Sequence, residues 1–156
     1  WLLVALVVID FWDAPLPMTP LDRPGVYASL SGADAGAVCE VPFGIGDGLS
    51  AGVGSQDRRV LFYATEHQHP LVGGYIGRMP IDAADRYRRM PIAGPLLALS
   101  DGAAAPPQTS ADPSASPCRY LVVHRAVASA SLLNYVASLR AIRVAADDDL
   151  ELYRLW

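Results

Sequence analysis

The densest set of side chains able to move a proton or hold a metal ion is the run Glu66-His67-Gln68-His69. On an extended segment His67 and His69 face the same side. That suits two metal ligands or one acid/base pair, since imidazole titrates near neutrality and binds zinc. A third ligand at a diagnostic spacing is missing, and His124 is distant in sequence. The expectation is therefore two imidazoles hydrogen-bonded to neighbouring backbone, with no metal and no cofactor. Gly73 and Gly74 follow, a pair that permits positive φ or close backbone approach, and Tyr75 and Arg78 complete a candidate binding block. Arg78 has the fork geometry to pair with a phosphate or a sugar carboxylate, or else it is an ordinary surface arginine. Arg86, Arg88 and Arg89 surround Tyr87 late in an expected helix. There they either complement the helix dipole on a solvated face or meet anionic lipid head groups and lipid-linked phosphate.

Two glycine-rich matches are weaker. Gly48-Leu49-Ser50-Ala51-Gly52 has the G-x-S-x-G form of a nucleophile elbow, and the overlapping residues 46–51 have the form of a dinucleotide fingerprint. Each needs a strand immediately before it and a long helix after it, and neither is expected here. A surface loop is the expectation, and a small soluble serine hydrolase using Ser50 is the competing activity.

These side chains must be positioned by short elements. Asp22 is placed to cap a helix that carries Pro24 in its first turn and runs to about Leu30. Residues 37–41 (AVCEV) read as a strand closed by Pro42, and residues 43–54 read as a glycine-rich loop. Helices are expected over residues 56–65, 82–89 and 92–99, with residues 70–76 extended. Residues 101–117, with four prolines and few apolar groups, predict a disordered surface loop. Beyond it lie a strand at 120–124 (YLVVH), a helix at 129–140, a strand at 142–146 and a last strand at 150–155. That order predicts an α/β fold: a small mixed sheet with a βαβ crossover and a C-terminal β-hairpin, helices packed on the sheet.

Composition narrows the function classes. With 52% apolar residues and 18% charged residues the chain has material for a core. A net charge of -4 disfavours an electrostatic grip on nucleic acid, so no nucleic-acid partner is expected. All 12 basic residues are arginines, which removes Walker-type lysine and Schiff-base chemistry. Cys39 and Cys118 are too few for a disulfide scaffold or a closed zinc site, but one bridge is open to them in an oxidising compartment. Residues 1–9 (WLLVALVVI) are unbroken apolar sequence, too short to span a bilayer, which takes about 20 residues. They read either as the end of a truncated transmembrane helix or as a buried strand.

The combination resembles the C-terminal region of bacterial polytopic membrane proteins of the glycosyltransferase C-type superfamily, relatives of mannosyl- and arabinosyltransferases. The apolar start with its acidic residue and proline-rich exit, the strand AVCEVP, the block YATEHQHPLVGGYIGR at residues 63–78, and the endings YLVVH and LYRL carry the resemblance. Where the family leads to expect Gly-Lys before the proline, this chain has Gln68-His69. The resemblance implies that residues 1–12 end a transmembrane helix and that residues 13–156 form one domain on the extracytoplasmic side of a bacterial cell membrane. It implies a noncatalytic accessory role beside the protein's own transmembrane region and the membrane surface, with a lipid-linked sugar or glycan as ligand. An extracytoplasmic setting also favours the Cys39 to Cys118 bridge. A soluble binding module, with residues 1–9 as an inner strand, is the third reading.

Overall fold

In the computed structural model, residues 2–10, 22–48, 52–104 and 112–156 are described. The apolar start forms helix α1 (Leu2–Asp10) and not a buried strand. Its Leu2, Leu3, Val4, Leu6 and Val7 side chains are 53–80% exposed, so the rest of the domain does not cover them. No helix among the described residues is long and apolar enough to cross a membrane.

The chain continues through α2 (Gly25–Ser31), β1 (Val38–Val41), β2 (Gly44–Gly46), β3 (Gly52–Gly54), α3 (Val60–His67) and β4 (Gly74–Tyr75). Next come α4 (Ala83–Arg88), α5 (Ala93–Ser100), a 3-10 turn (Pro113–Ala115), β5 (Tyr120–His124), α6 (Ala130–Ser138), β6 (Ile142–Ala146) and β7 (Leu150–Arg154). The four-stranded sheet has the order β1-β5-β7-β6, and a three-stranded sheet has the order β3-β2-β4. Both are mixed, helices pack against them, and β6 and β7 pair as a hairpin, so the α/β class holds.

The larger sheet is buried on both faces where its edge strand β1 lies parallel to β5, with Val38 beside Tyr120 and Val41 beside Val123. All residues of both strands are buried, which explains why YLVVH is a continuous apolar run instead of an alternating one. Period-two alternation then divides the core. Cys39, Val41, Leu121 and Val123 pack with Leu96 and Leu97 of α5 and Leu132 and Val136 of α6. Val38, Tyr120, Val122 and Leu152 pack on the opposite face with Val26, Tyr27 and Leu30 of α2 and Tyr63 of α3. The sheet is thus sandwiched between two helical layers. Helix α6 begins where Ser129 accepts a hydrogen bond from the Leu132 amide at 3.3 Å, an N-cap that its sequence announces.

Three sequence expectations change in detail. Strands β5 and β6 do run in the same direction, but they are not neighbours: β7 lies between them, antiparallel to both. The parallel neighbour of β5 is β1, from the other end of the domain. Residues 43–54 contain β2 and β3 and are not simply a loop; Gly44 and Gly54 let the two backbones meet where a side chain on either would strike the facing strand. Finally, Pro24 and not Asp22 stands at the head of α2, and no side chain caps it.

Residues 105–111 of the proline-rich segment lie outside the described residues. From Asp112 on, that segment forms the 3-10 turn, capped when Asp112 accepts from the Ser114 amide at 3.0 Å, and it buries Ser116 and Cys118. Cys118 is joined to Cys39 in a disulfide, with the two Cα atoms 5.6 Å apart.

Candidate ligand-binding cavity

Two ionisable residues interrupt the most apolar strands of the fold. Glu40 sits in β1 and His124 ends β5, and strand alternation turns both towards the layer formed by α2 and α3. Neither has water to dissolve its charge, since they are 5% and 7% exposed. Each satisfies the other: His124 Nε2 lies 2.7 Å from Glu40 Oε2. From α2, the Tyr27 hydroxyl donates to the Glu40 carboxylate at 3.2 and 3.3 Å. Burial pushes the Glu40 carboxyl above the usual carboxylate range, while the hydrogen bonds from His124 and Tyr27 pull in the opposite direction. Burial likewise raises the Tyr27 phenol, with Glu40 adding to the effect, so Tyr27 remains a hydrogen-bond donor.

Above this triad lies a cavity of about 320 Å³, within the about 300–1,000 Å³ range of small-molecule sites. His124 forms part of its wall, and Nδ1, the ring nitrogen not used by Glu40, bonds to none of the described residues. Tyr63 lines the same cavity. It is 2% exposed, its ring stacks on Tyr27 with centroids 4.4 Å apart, and its hydroxyl bonds to no described residue. Burial raises the Tyr63 phenol, opposed by Arg59, so its O–H is also retained as a donor. Asp57 and Arg59 form one wall and are tied together at 2.6 Å, and the hydrogen bonds from Arg59 hold the Asp57 carboxyl below its usual range. The β6–β7 turn supplies the other wall through Asp147, Asp148 and Asp149.

None of the candidate binding residues singled out in the sequence lines this cavity, and His67 and His69 lie at a second depression. His67 ends α3, and Gln68 follows in the left-handed conformation, so the histidine segment is a helix terminus and not an extended strand. His67 and His69 have ring centroids 5.8 Å apart, and their partners are backbone groups: the His69 amide donates to His67 Nδ1 at 3.0 Å. The ring nitrogens of His69 lie 2.8 Å from the Gly36 carbonyl and 2.9 Å from that of Leu30, fastening the end of α2 to the approach of β1. Among the described residues no group of three or more His, Cys, Asp or Glu is placed to hold a metal ion.

Gly73 and Gly74 have φ of 91° and 89°, and a Cβ on Gly73 would stand 2.8 Å from the Gly44 carbonyl oxygen. Close approach and positive φ together account for the glycines there. Tyr75 belongs to β4 and lines the groove of the glycine-rich sheet, on a different part of the molecule from the cavity. Arg78 is exposed and pairs with none of the described residues. In the basic patch, Arg86 pairs with Asp82 at 3.4 Å and Arg88 with Asp85 at 2.9 Å, while Arg89 is exposed. Ser50 lies outside the described residues.

Sequence reading missed Tyr27, Glu40, Tyr63 and the role of His124. A signal was present for two of them, since one ionisable residue inside AVCEV and another at the end of YLVVH are unexpected in strands that are otherwise wholly apolar. Comparison with known family profiles, with curated proteins and with solved structures returns no match.

Proposed function

We propose that this chain is a noncatalytic accessory domain of a membrane glycosyltransferase-like protein, which holds a sugar of an acceptor or lipid-linked donor in the cavity floored by His124. The observation that carries the reading is that two nearly buried side chains, Tyr63 and His124, line one cavity with a hydroxyl and a ring nitrogen, Nδ1, that bond to none of the described residues. Asp147 Oδ2, on the wall of the same cavity, is buried without a partner, and leaving a buried polar atom bare costs on the order of 1–3 kcal/mol. A polyhydroxylated ligand matches these groups, because each sugar hydroxyl both donates and accepts. It also suits the carboxylates of the wall, which accept hydroxyl hydrogens. The setting at the extracytoplasmic face of a bacterial membrane rests on the resemblance of residues 63–78 and of the strand endings. The exposed apolar side chains of α1 favour a non-aqueous neighbour, the membrane or the protein's own transmembrane region.

Titration of the chain with free mannose, arabinose and glucose, followed by NMR shifts of Tyr63 and His124, tests the reading. Saturable shifts at millimolar sugar are expected, weakened about tenfold by Tyr63→Phe without loss of the fold. Absence of any saturable shift with all three sugars sinks it.

A further inference from the structure

The cavity is acidic beyond what its own cations offset. Arg59 is the basic side chain of its wall, and three contacts of 2.6–3.2 Å commit its guanidinium to Asp57. That leaves Asp22, Asp148 and Asp149, which line the cavity and form no ion pair with the described residues. Asp147 adds to them: its Oδ1 accepts from the Leu150 amide at 2.9 Å and the Asp149 amide at 3.3 Å, whereas its Oδ2 is buried and takes no partner. Arg125 is near this turn, but its contacts go to the Asp148 main-chain carbonyl at 2.6 Å and to Glu151 at 3.8 Å. The independent sign that something enters is Tyr63 at the same cavity, a side chain 2% exposed whose hydroxyl bonds to none of the described residues.

Resting on the sugar-binding reading, we infer that the ligand carries a primary ammonium group, making it an amino sugar in place of a neutral one. The ammonium lies towards the β6–β7 turn, donating to the Asp148 and Asp149 carboxylates and offsetting the Asp147 charge at short range. The ligand hydroxyls meet Tyr63 and His124. A charge-assisted hydrogen bond is about twice as strong as a neutral one, so the ammonium governs selectivity among sugars of one shape.

Isothermal titration of the full chain with glucose, glucosamine and N-acetylglucosamine at neutral pH tests this, repeated on Asp148→Asn/Asp149→Asn. Glucosamine is expected to bind about tenfold or more tighter than glucose and N-acetylglucosamine. In the double variant its advantage falls to nothing, so that glucosamine and glucose bind alike. Equal affinity for glucose and glucosamine overturns the ammonium inference and leaves the sugar site standing. An advantage that survives the double substitution also overturns it, because the amine is then bound elsewhere. Failure of all three sugars to bind removes both the inference and the reading beneath it.

Discussion

His67 occupies the last position of α3, 2% exposed, with its ring stacked against Tyr27 at a centroid distance of 5.8 Å. Its Nδ1 accepts from the His69 amide, which fixes the proton of the neutral ring on Nε2, and that atom has no partner. Burial, helped by the neighbouring His69, lowers its pKa from 6.5 to about 4. The unfolded chain therefore takes up this proton as pH falls through 6.5, whereas the folded chain resists until about 4. The stability contributed by the neutral ring is full above 6.5, is lost progressively as pH falls, and declines no further below about 4. His67→Asn keeps an acceptor for the His69 amide and removes the titration. The stability difference between the two proteins, measured by urea denaturation, should move in favour of the variant as pH falls from 6.5 to 4. A difference constant with pH would show that His67 is not buried neutral. The residue was prominent in the sequence as a candidate ligand. What identified it as a packing residue was the helix end that turns it inward, which two histidines spaced for a strand do not reveal.

At the scale of elements, the disulfide ties β1 to the residue that leads into β5, across 79 positions of sequence. Strands β1 and β5 are parallel neighbours, so the bridge joins two segments that the hydrogen-bond ladder already sets side by side. Its contribution comes mainly from restricting the unfolded chain, which is larger for a long loop. Cys39→Ala/Cys118→Ala should lower unfolding free energy by about 2–5 kcal/mol, read from urea midpoints at constant slope. A loss below about 1 kcal/mol counts against that assignment. The elements themselves were legible to different degrees. Strand β5, residues 120–124, has the bounds its apolar run implies, because the run and the burial have one cause, and β6 has its expected bounds at residues 142–146 although nearly all of its side chains are exposed. Strands β2 and β3 were not legible, since Gly-rich segments carry no side-chain periodicity; their pairing is decided by close backbone contact.

For the whole molecule, the exposed apolar side chains of α1 and the acidic cavity are the two features that point beyond the domain. If α1 meets a membrane, the chain should co-sediment with phosphatidylcholine vesicles. Leu3→Ser/Leu6→Ser should reduce partitioning at least about tenfold, as each leucine contributes about 1.5–3 kcal/mol when removed from water. Equal sedimentation of both proteins would falsify an α1 anchor. By itself the sequence determined the α/β class, the order of the C-terminal elements and the apolar character of α1, because these follow from local periodicity, capping and composition. Tertiary structure alone decided that β7 separates β5 from β6 and that β1 closes against β5, since pairing of distant strands depends on how complementary faces bury together. It also decided the cavity. Tyr27, Glu40, Tyr63 and His124 span almost 100 positions of sequence, and only the stacking of α2 and α3 on one face of the sheet brings their polar atoms to one place.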